Sequence, residues 1–232
     1  MKQRSFRTHC LQLAISLACL TSTGALHAQY VEAGDAGSSA STAQGTGSVA
    51  GQTLTSIAGN LSTTGDADFF LITISNPSLF SATTVGGSLV DTQLYLFTLS
   101  GAPVYLNDDA NGSSLQSTLP LGSLLGPQTA GTYILGISVS GVDPVNSSNQ
   151  TLFATATFST DLRGPASNTF GTVAGVLNSA PFPDFGAYGI SLTGATTAVA
   201  VPEPSSQALL AAGAALVGAA ALRRRRSFAA AA

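Results

Sequence analysis

Five aspartates carry most of the chemistry that this sequence can offer. Asp66, Asp68, Asp91, Asp108 and Asp109 all lie at the ends of apolar runs, beside turn-forming residues. Hard carboxylate oxygens suit calcium, which takes roughly six to eight oxygen ligands and accepts backbone carbonyls among them. Asp66-x-Asp68 presents two carboxylates on one side of an extended segment. Asn107-Asp108-Asp109-Ala110-Asn111-Gly112 offers flexible oxygens in a loop. Asp and Asn also form turns by bonding their own backbone. The residues alone leave both roles open, and no cofactor other than calcium is expected.

The inventory excludes more than it suggests. Both cysteines, Cys10 and Cys19, and both histidines, His9 and His27, sit in the first 28 residues. Without that segment the chain has no Cys, His or Lys. Neither a Ser-His-Asp nor a Cys-His nucleophile system can be assembled. A His- or Cys-ligated zinc site and a disulfide are excluded as well. Between Tyr30 and Ala200 the only basic residue is Arg163, against ten carboxylates, a net charge of −9. Nucleic-acid binding relies on Lys and Arg neutralising phosphates, so such a body has no use for DNA or RNA. A carboxylate pair could run glycoside hydrolysis, but no cleft is legible around these residues. Tyr105, Phe182, Phe185 and Tyr188 could stack on a sugar ring or simply pack in loops and core.

Short strands must hold these residues. From about Gln52 the pattern has period two, with turn signals between runs. Phe70, Ile72 and Ile74 share one face of Phe69–Ile74, which Asn76-Pro77 ends. Phe80–Val85 stops at Gly86-Gly87, and Gln93–Leu99 stops at Ser100-Gly101. Thr132–Val139 places Tyr133, Leu135, Ile137 and Val139 on one face. Thr151–Ser159 alternates, and Ala187–Thr193 gives Tyr188, Ile190 and Leu192. Weaker strands are expected at Gln52–Ile57, Pro103–Leu106 and Leu115–Leu119. The expectation is an all-β, antiparallel, jelly-roll-like β-sandwich of about eight or nine strands.

The two ends of the chain read as addresses. Residues 1–28 form a secretory signal peptide, with Lys2, Arg4 and Arg7 before a short apolar helix and cleavage after Ala28, or alternatively Ala25. An uncleaved anchor and a lipoprotein signal at Cys19 are the competing readings. Residues 29–50 are expected to be a flexible linker, since 13 of the 15 residues from Gly34 to Ser48 are Gly, Ser, Ala or Thr. The sandwich occupies 51–195, and 196–204 is a second linker holding Pro202-Glu203-Pro204. A hydrophobic helix spans 205–222, and the tail 223–232 begins with Arg223, Arg224, Arg225 and Arg226. The positive-inside rule keeps those arginines in the cytoplasm and the body outside.

This ordered tail resembles the PEP-CTERM sorting signal of Gram-negative bacteria. The resemblance implies processing by an exosortase-type membrane peptidase after export by the Sec machinery. It also implies a transient stay in the inner membrane through the C-terminal helix, then the cell surface or extracellular matrix. Such proteins are associated with exopolysaccharide and biofilm.

A second series, Asp66-x-Asp68-Phe69-Phe70, Asp91-Thr92-Gln93-Leu94-Tyr95-Leu96-Phe97, Gly101, Asn107-Asp108-Asp109 and Ala130-Gly131-Thr132-Tyr133, is similar to the bacterial pre-peptidase C-terminal domain. That family implies a β-sandwich, in some members one that binds calcium or carbohydrate polymers. The stretch Arg163–Asp184 departs from the compact pattern of the family. The expected function is therefore a non-enzymatic exported surface or matrix protein. The competing readings are a carbohydrate-binding envelope module and, further off, a carboxylate-dependent glycan hydrolase.

Overall fold

The computed structural model describes residues 27–168 and 171–200. Thirteen strands are formed there. They are β1 (His27–Val31), β2 (Gln44–Gly45), β3 (Thr53–Leu61), β4 (Ala67–Ile74), β5 (Ser81–Thr83), β6 (Thr92–Thr98) and β7 (Pro103–Asn107). The rest are β8 (Thr118–Leu119), β9 (Gly131–Val139), β10 (Val142–Val145), β11 (Gly175–Asn178), β12 (Gly186–Thr193) and β13 (Ala195–Thr197). The main sheet runs β7-β6-β9-β4-β13-β3-β12-β5-β8, with β1 added to β3 and β2 to β4. Every pair on the main path is antiparallel, whereas the added strands β1 and β2 pair parallel. The sheet curls until its ends approach: the Asn107 side chain on β7 accepts the Thr118 N–H of β8 at 2.9 Å. The result is the expected all-β sandwich.

Period-two alternation fills two cores rather than one. Phe70, Ile72, Leu94, Leu96, Leu135 and Ile137 point into the space enclosed by the sheet. Their neighbours Phe69, Tyr95, Phe97 and Ile134 point outwards and are buried all the same, against Leu152, Phe153 and Val173. The central strands therefore read as continuous apolar runs because both faces are covered. Gly136 makes the outer cluster fit, since a Cβ there would lie 2.5 Å from Tyr95 and 2.8 Å from Phe69.

Several expectations need correction. Thr151–Ser159 is no strand: it makes only the isolated pairs Val145–Thr151 and Phe153–Pro165. Asp161 accepts the N–H groups of Thr157 and Phe158, which turns the chain, and Phe158 is left exposed. Leu152 and Phe153 are buried side by side as part of the cover over the outer core. The stretch 163–184 completes that cover, since Arg163 pairs its backbone with Leu106 in both directions and β11 pairs with β10. Residues 29–50 are not a free linker. β1 and β2 join the sheet there, and Ala36 and Thr46 are buried. Small residues suit a segment that must lie flat on a packed surface as well as they suit a flexible one.

The C-terminal boundary also moves. β13 continues to Thr197, lies between β3 and β4, and leads to a buried Ala198. The two helices expected at the ends, the Pro-Glu-Pro motif and the four arginines lie outside the described residues. His27 and Ala28, the last residues of the expected leader, begin β1. Among the described residues, no helix is long and apolar enough to cross a membrane.

Candidate metal centre

The five aspartates divide between two places. Asp91 lies just before β6, and Asp108 and Asp109 just after β7. Because β6 and β7 are antiparallel neighbours with Leu94 opposite Asn107, the start of one meets the end of the other. One carboxylate oxygen from each of the three lies within 4.8 Å of the others. Ser140 donates to Asp108 at 3.2 Å, and the Asp91 N–H donates to Asp184 at 2.8 Å. Asp91 Oδ1 and Asp108 Oδ1 are buried without a hydrogen bond. Desolvation first, then the negative neighbours, pushes Asp91 up to about 6. Burial does the same to Asp108, also to about 6, against the opposing effect of Ser140.

Asp68 belongs elsewhere. It is fully buried at the start of β4, and its oxygens meet those of Glu32 and Asp35 within 4.8 Å. Glu32 follows β1, and its two oxygens accept the N–H groups of Ala36 and Asn60, each at 3.0 Å. Asp35 accepts the N–H of Gly37 at 2.9 Å. The Tyr188 hydroxyl donates to Asp68 Oδ2 at 2.8 Å, while Asp68 Oδ1 is buried with no partner. Gly59 keeps this corner compact: a Cβ there would lie 2.3 Å from the Tyr188 hydroxyl and 2.4 Å from Glu32 Oε2. Desolvation pushes Asp68 up to about 8, with the charges of Glu32, Asp66 and Asp35 adding to it and the Tyr188 bond opposing. Burial, then the adjacent Asp68, raises the Tyr188 phenol far above its ordinary range.

Asp66, two residues from Asp68, is in neither group of three. It accepts the N–H of Ser62 at 2.5 Å and closes the turn between β3 and β4. Glu32 and Asp35 were not among the expected ligands. The available signal was two carboxylates three residues apart in a stretch otherwise nearly free of charge.

The orphan oxygen is the test of fit for a cation. A buried carboxylate oxygen without a donor costs free energy unless a proton or a positive ion meets it. Three carboxylates around it form an all-oxygen donor set of the kind that suits calcium. Backbone N–H groups already hold the outer oxygens of Glu32 and Asp35, so the acids are oriented before any ion arrives.

Residues 200–226 match the PEP-CTERM protein-sorting motif. No curated protein shows a significant match to the chain. The matched segment begins two residues beyond the buried Ala198, which follows the last strand of the sheet. The motif marks the chain for export and exosortase-type sorting through the membrane to the cell surface.

Proposed function

We propose that this chain is a non-enzymatic structural protein of the cell surface or extracellular matrix, associated with exopolysaccharide and delivered there by its C-terminal signal. The observation that carries the reading is a sorting motif placed directly after the last strand of a complete β-sandwich. A cut beyond Ala198 leaves the last strand, β13, intact. The residue inventory supports a binding or scaffolding role, because the body holds no nucleophile–base system. Its carboxylates are engaged in turns, in strand ends and in the two acidic clusters.

Calcium completes the proposal. Glu32, Asp35 and Asp68 would hold it, supported by the orphan Oδ1 of Asp68. The ion would supply positive charge only, fastening the segment after β1 to the start of β4. Asp91, Asp108 and Asp109 form a weaker second candidate.

Processing tests the delivery. The intact mass of the surface protein should show loss of residues 1–28 and of everything beyond Pro202-Glu203-Pro204. Glu203→Ala should accumulate in the inner membrane. A surface product still carrying Arg223–Arg226 refutes the sorting step.

A further inference from the structure

We infer that the groove between residues 86–90 and 184–187 binds a cationic amino-sugar polymer, one whose pyranose rings carry free ammonium groups. The groove has a volume of about 560 Å³ and is lined by Gly86, Gly87, Ser88, Leu89 and Val90 on one wall. Asp184, Phe185, Gly186 and Ala187 form the other. That volume lies in the ordinary range for small-ligand sites.

Its chemistry has three parts. The first is apolar: Leu89 is 98% exposed and Phe185 59% exposed, both lining the groove. An aromatic ring beside an aliphatic side chain suits the C–H face of a sugar ring, and the ring face also attracts a cation. The second is bare backbone. Gly86 lines the groove with nothing within 4 Å of where its Cβ would lie, so no side chain screens this part of the wall. Peptide groups without side chains over them suit sugar hydroxyls, which both donate and accept. The third is charge. Asp184 lines the groove and accepts the Asp91 N–H at 2.8 Å. The charges acting on Asp91 are those of Asp108, Asp109 and Asp184, all negative. Arg163, the only Lys or Arg between Tyr30 and Ala200, is paired with Asp143 at 3.7 Å.

Charge complementarity selects among polysaccharides. An acidic polymer meets the like charge of Asp184 on the wall, with Asp91 bonded to it, and is repelled. A neutral one uses only the apolar and backbone parts. A polymer with ammonium groups uses all three. This goes beyond the matrix role proposed above and relies on it only for where the polymer is met. The purified protein can bind or fail to bind whether or not the sorting step is correct.

The test is calorimetric titration of the full exported protein at pH 6 with four probes: a glucosamine hexasaccharide, its fully N-acetylated counterpart, an oligogalacturonate and pentalysine. The glucosamine oligomer should bind at least tenfold more tightly than each of the others. Asp184→Asn keeps an oxygen for the Asp91 N–H and should weaken that binding about tenfold. Leu89→Ser changes a side chain that is almost wholly in solvent, so it tests the groove without risk to the fold, and it should weaken binding similarly. Equal binding of the acetylated oligomer overturns the ammonium assignment. Equal binding of pentalysine reduces the site to charge alone and overturns the sugar assignment. No binding at millimolar oligomer, with an unchanged melting temperature, overturns both.

Discussion

The two acidic clusters use the same side chain in opposite ways. Around Glu32, Asp35 and Asp68, four donors are built into the fold: three backbone N–H groups and the Tyr188 hydroxyl. At Asp91, Asp108 and Asp109, the one side-chain donor bonded to a carboxylate among the described residues is Ser140. The first cluster joins segments far apart in sequence. The second lies where one hairpin, β6–β7, brings its own ends together. Hydrogen bonds to the charged form favour charge, while burial and like neighbours oppose it. Neither grouping nor a leftover buried oxygen separates the two, since Asp91 Oδ1 and Asp108 Oδ1 are orphaned as well. The difference is that the acids of the first cluster are already oriented by donors.

The largest effect that separates the clusters should come from calcium. An ion bound only by the folded state, at about 100 times its dissociation constant, adds roughly 2.7 kcal/mol. For a domain of this size that raises the melting temperature by roughly 5–10 °C. Melts in EDTA, calcium and magnesium should show the rise in calcium, with a smaller one in magnesium, which holds its water more tightly. Asp35→Asn should abolish the rise and Asp108→Asn should preserve it. The reverse pattern would move the ion to the second cluster, and identical midpoints in all three solutions would return every aspartate to turn chemistry.

Next comes the tyrosine. Tyr188→Phe removes the hydroxyl that donates to buried Asp68. In EDTA at about pH 9, where Asp68 at about 8 is mostly ionised, it should cost about 1.5–3 kcal/mol, the range for hydrogen bonds to charged groups. Calcium should recover part of that loss by meeting the same carboxylate. A cost below about 0.5 kcal/mol in denaturant melts would mean that Asp68 is held neutral and needs no donor.

The ends of the β-rich body were read least well. Alternation in β4, β9 and β12 was legible, because Phe70, Ile137 and Ile190 must all face the same enclosed space. The outer core was not, because nothing in the sequence announces that Phe69, Tyr95 and Phe97 are covered by residues 150–176. Thr151–Ser159 shows the same alternation as a strand and lacks a free edge to pair with. Glu32 and Asp35 were hidden by composition: a Gly/Ser/Ala/Thr stretch looks flexible until Asn60 and Asp68 are brought to it. The sorting motif was legible throughout, since its three parts are contiguous and need no fold to be recognised.

Acidity gives a smaller and separable signature. Asp68 sits at about 8 in the folded protein against 3.8 for an ordinary Asp, so the folded state holds its proton more tightly. Without calcium, its contribution is complete below about pH 4 and is lost as pH rises to about 8. Asp91 and Asp108, raised only to about 6, act in the same direction but finish earlier. Between pH 6 and 8 the decline therefore belongs to Asp68, with a slope of at most about 1.4 kcal/mol per pH unit. Asp68→Asn should flatten that window in urea melts and leave the decline between pH 4 and 6. Calcium should flatten it in the parent protein by replacing the proton. A slope unchanged by Asp68→Asn would place the titrating group elsewhere.

The smallest expected effect bears on the second cluster. Asp91 and Asp108 repel one another and Asp109 without compensation from a backbone donor, so Asp108→Asn should stabilise the calcium-free protein at pH 8. Solvent reaches this end of the sandwich, and screening limits the gain to about 0.5–1 kcal/mol. The asparagine carbonyl can still accept the Ser140 hydroxyl, so the substitution removes charge and little else. At pH 5 the gain should be smaller and below about pH 4 it should vanish, because Asp108 is then protonated in the folded and the unfolded parent alike. The sign in calcium then decides what the cluster is for. If Asp108→Asn remains stabilising in calcium, these three acids hold no ion, and their negative field serves the neighbouring groove. If the same substitution becomes destabilising in calcium, the second cluster holds an ion of its own, and the contrast between the two clusters becomes one of affinity rather than of kind.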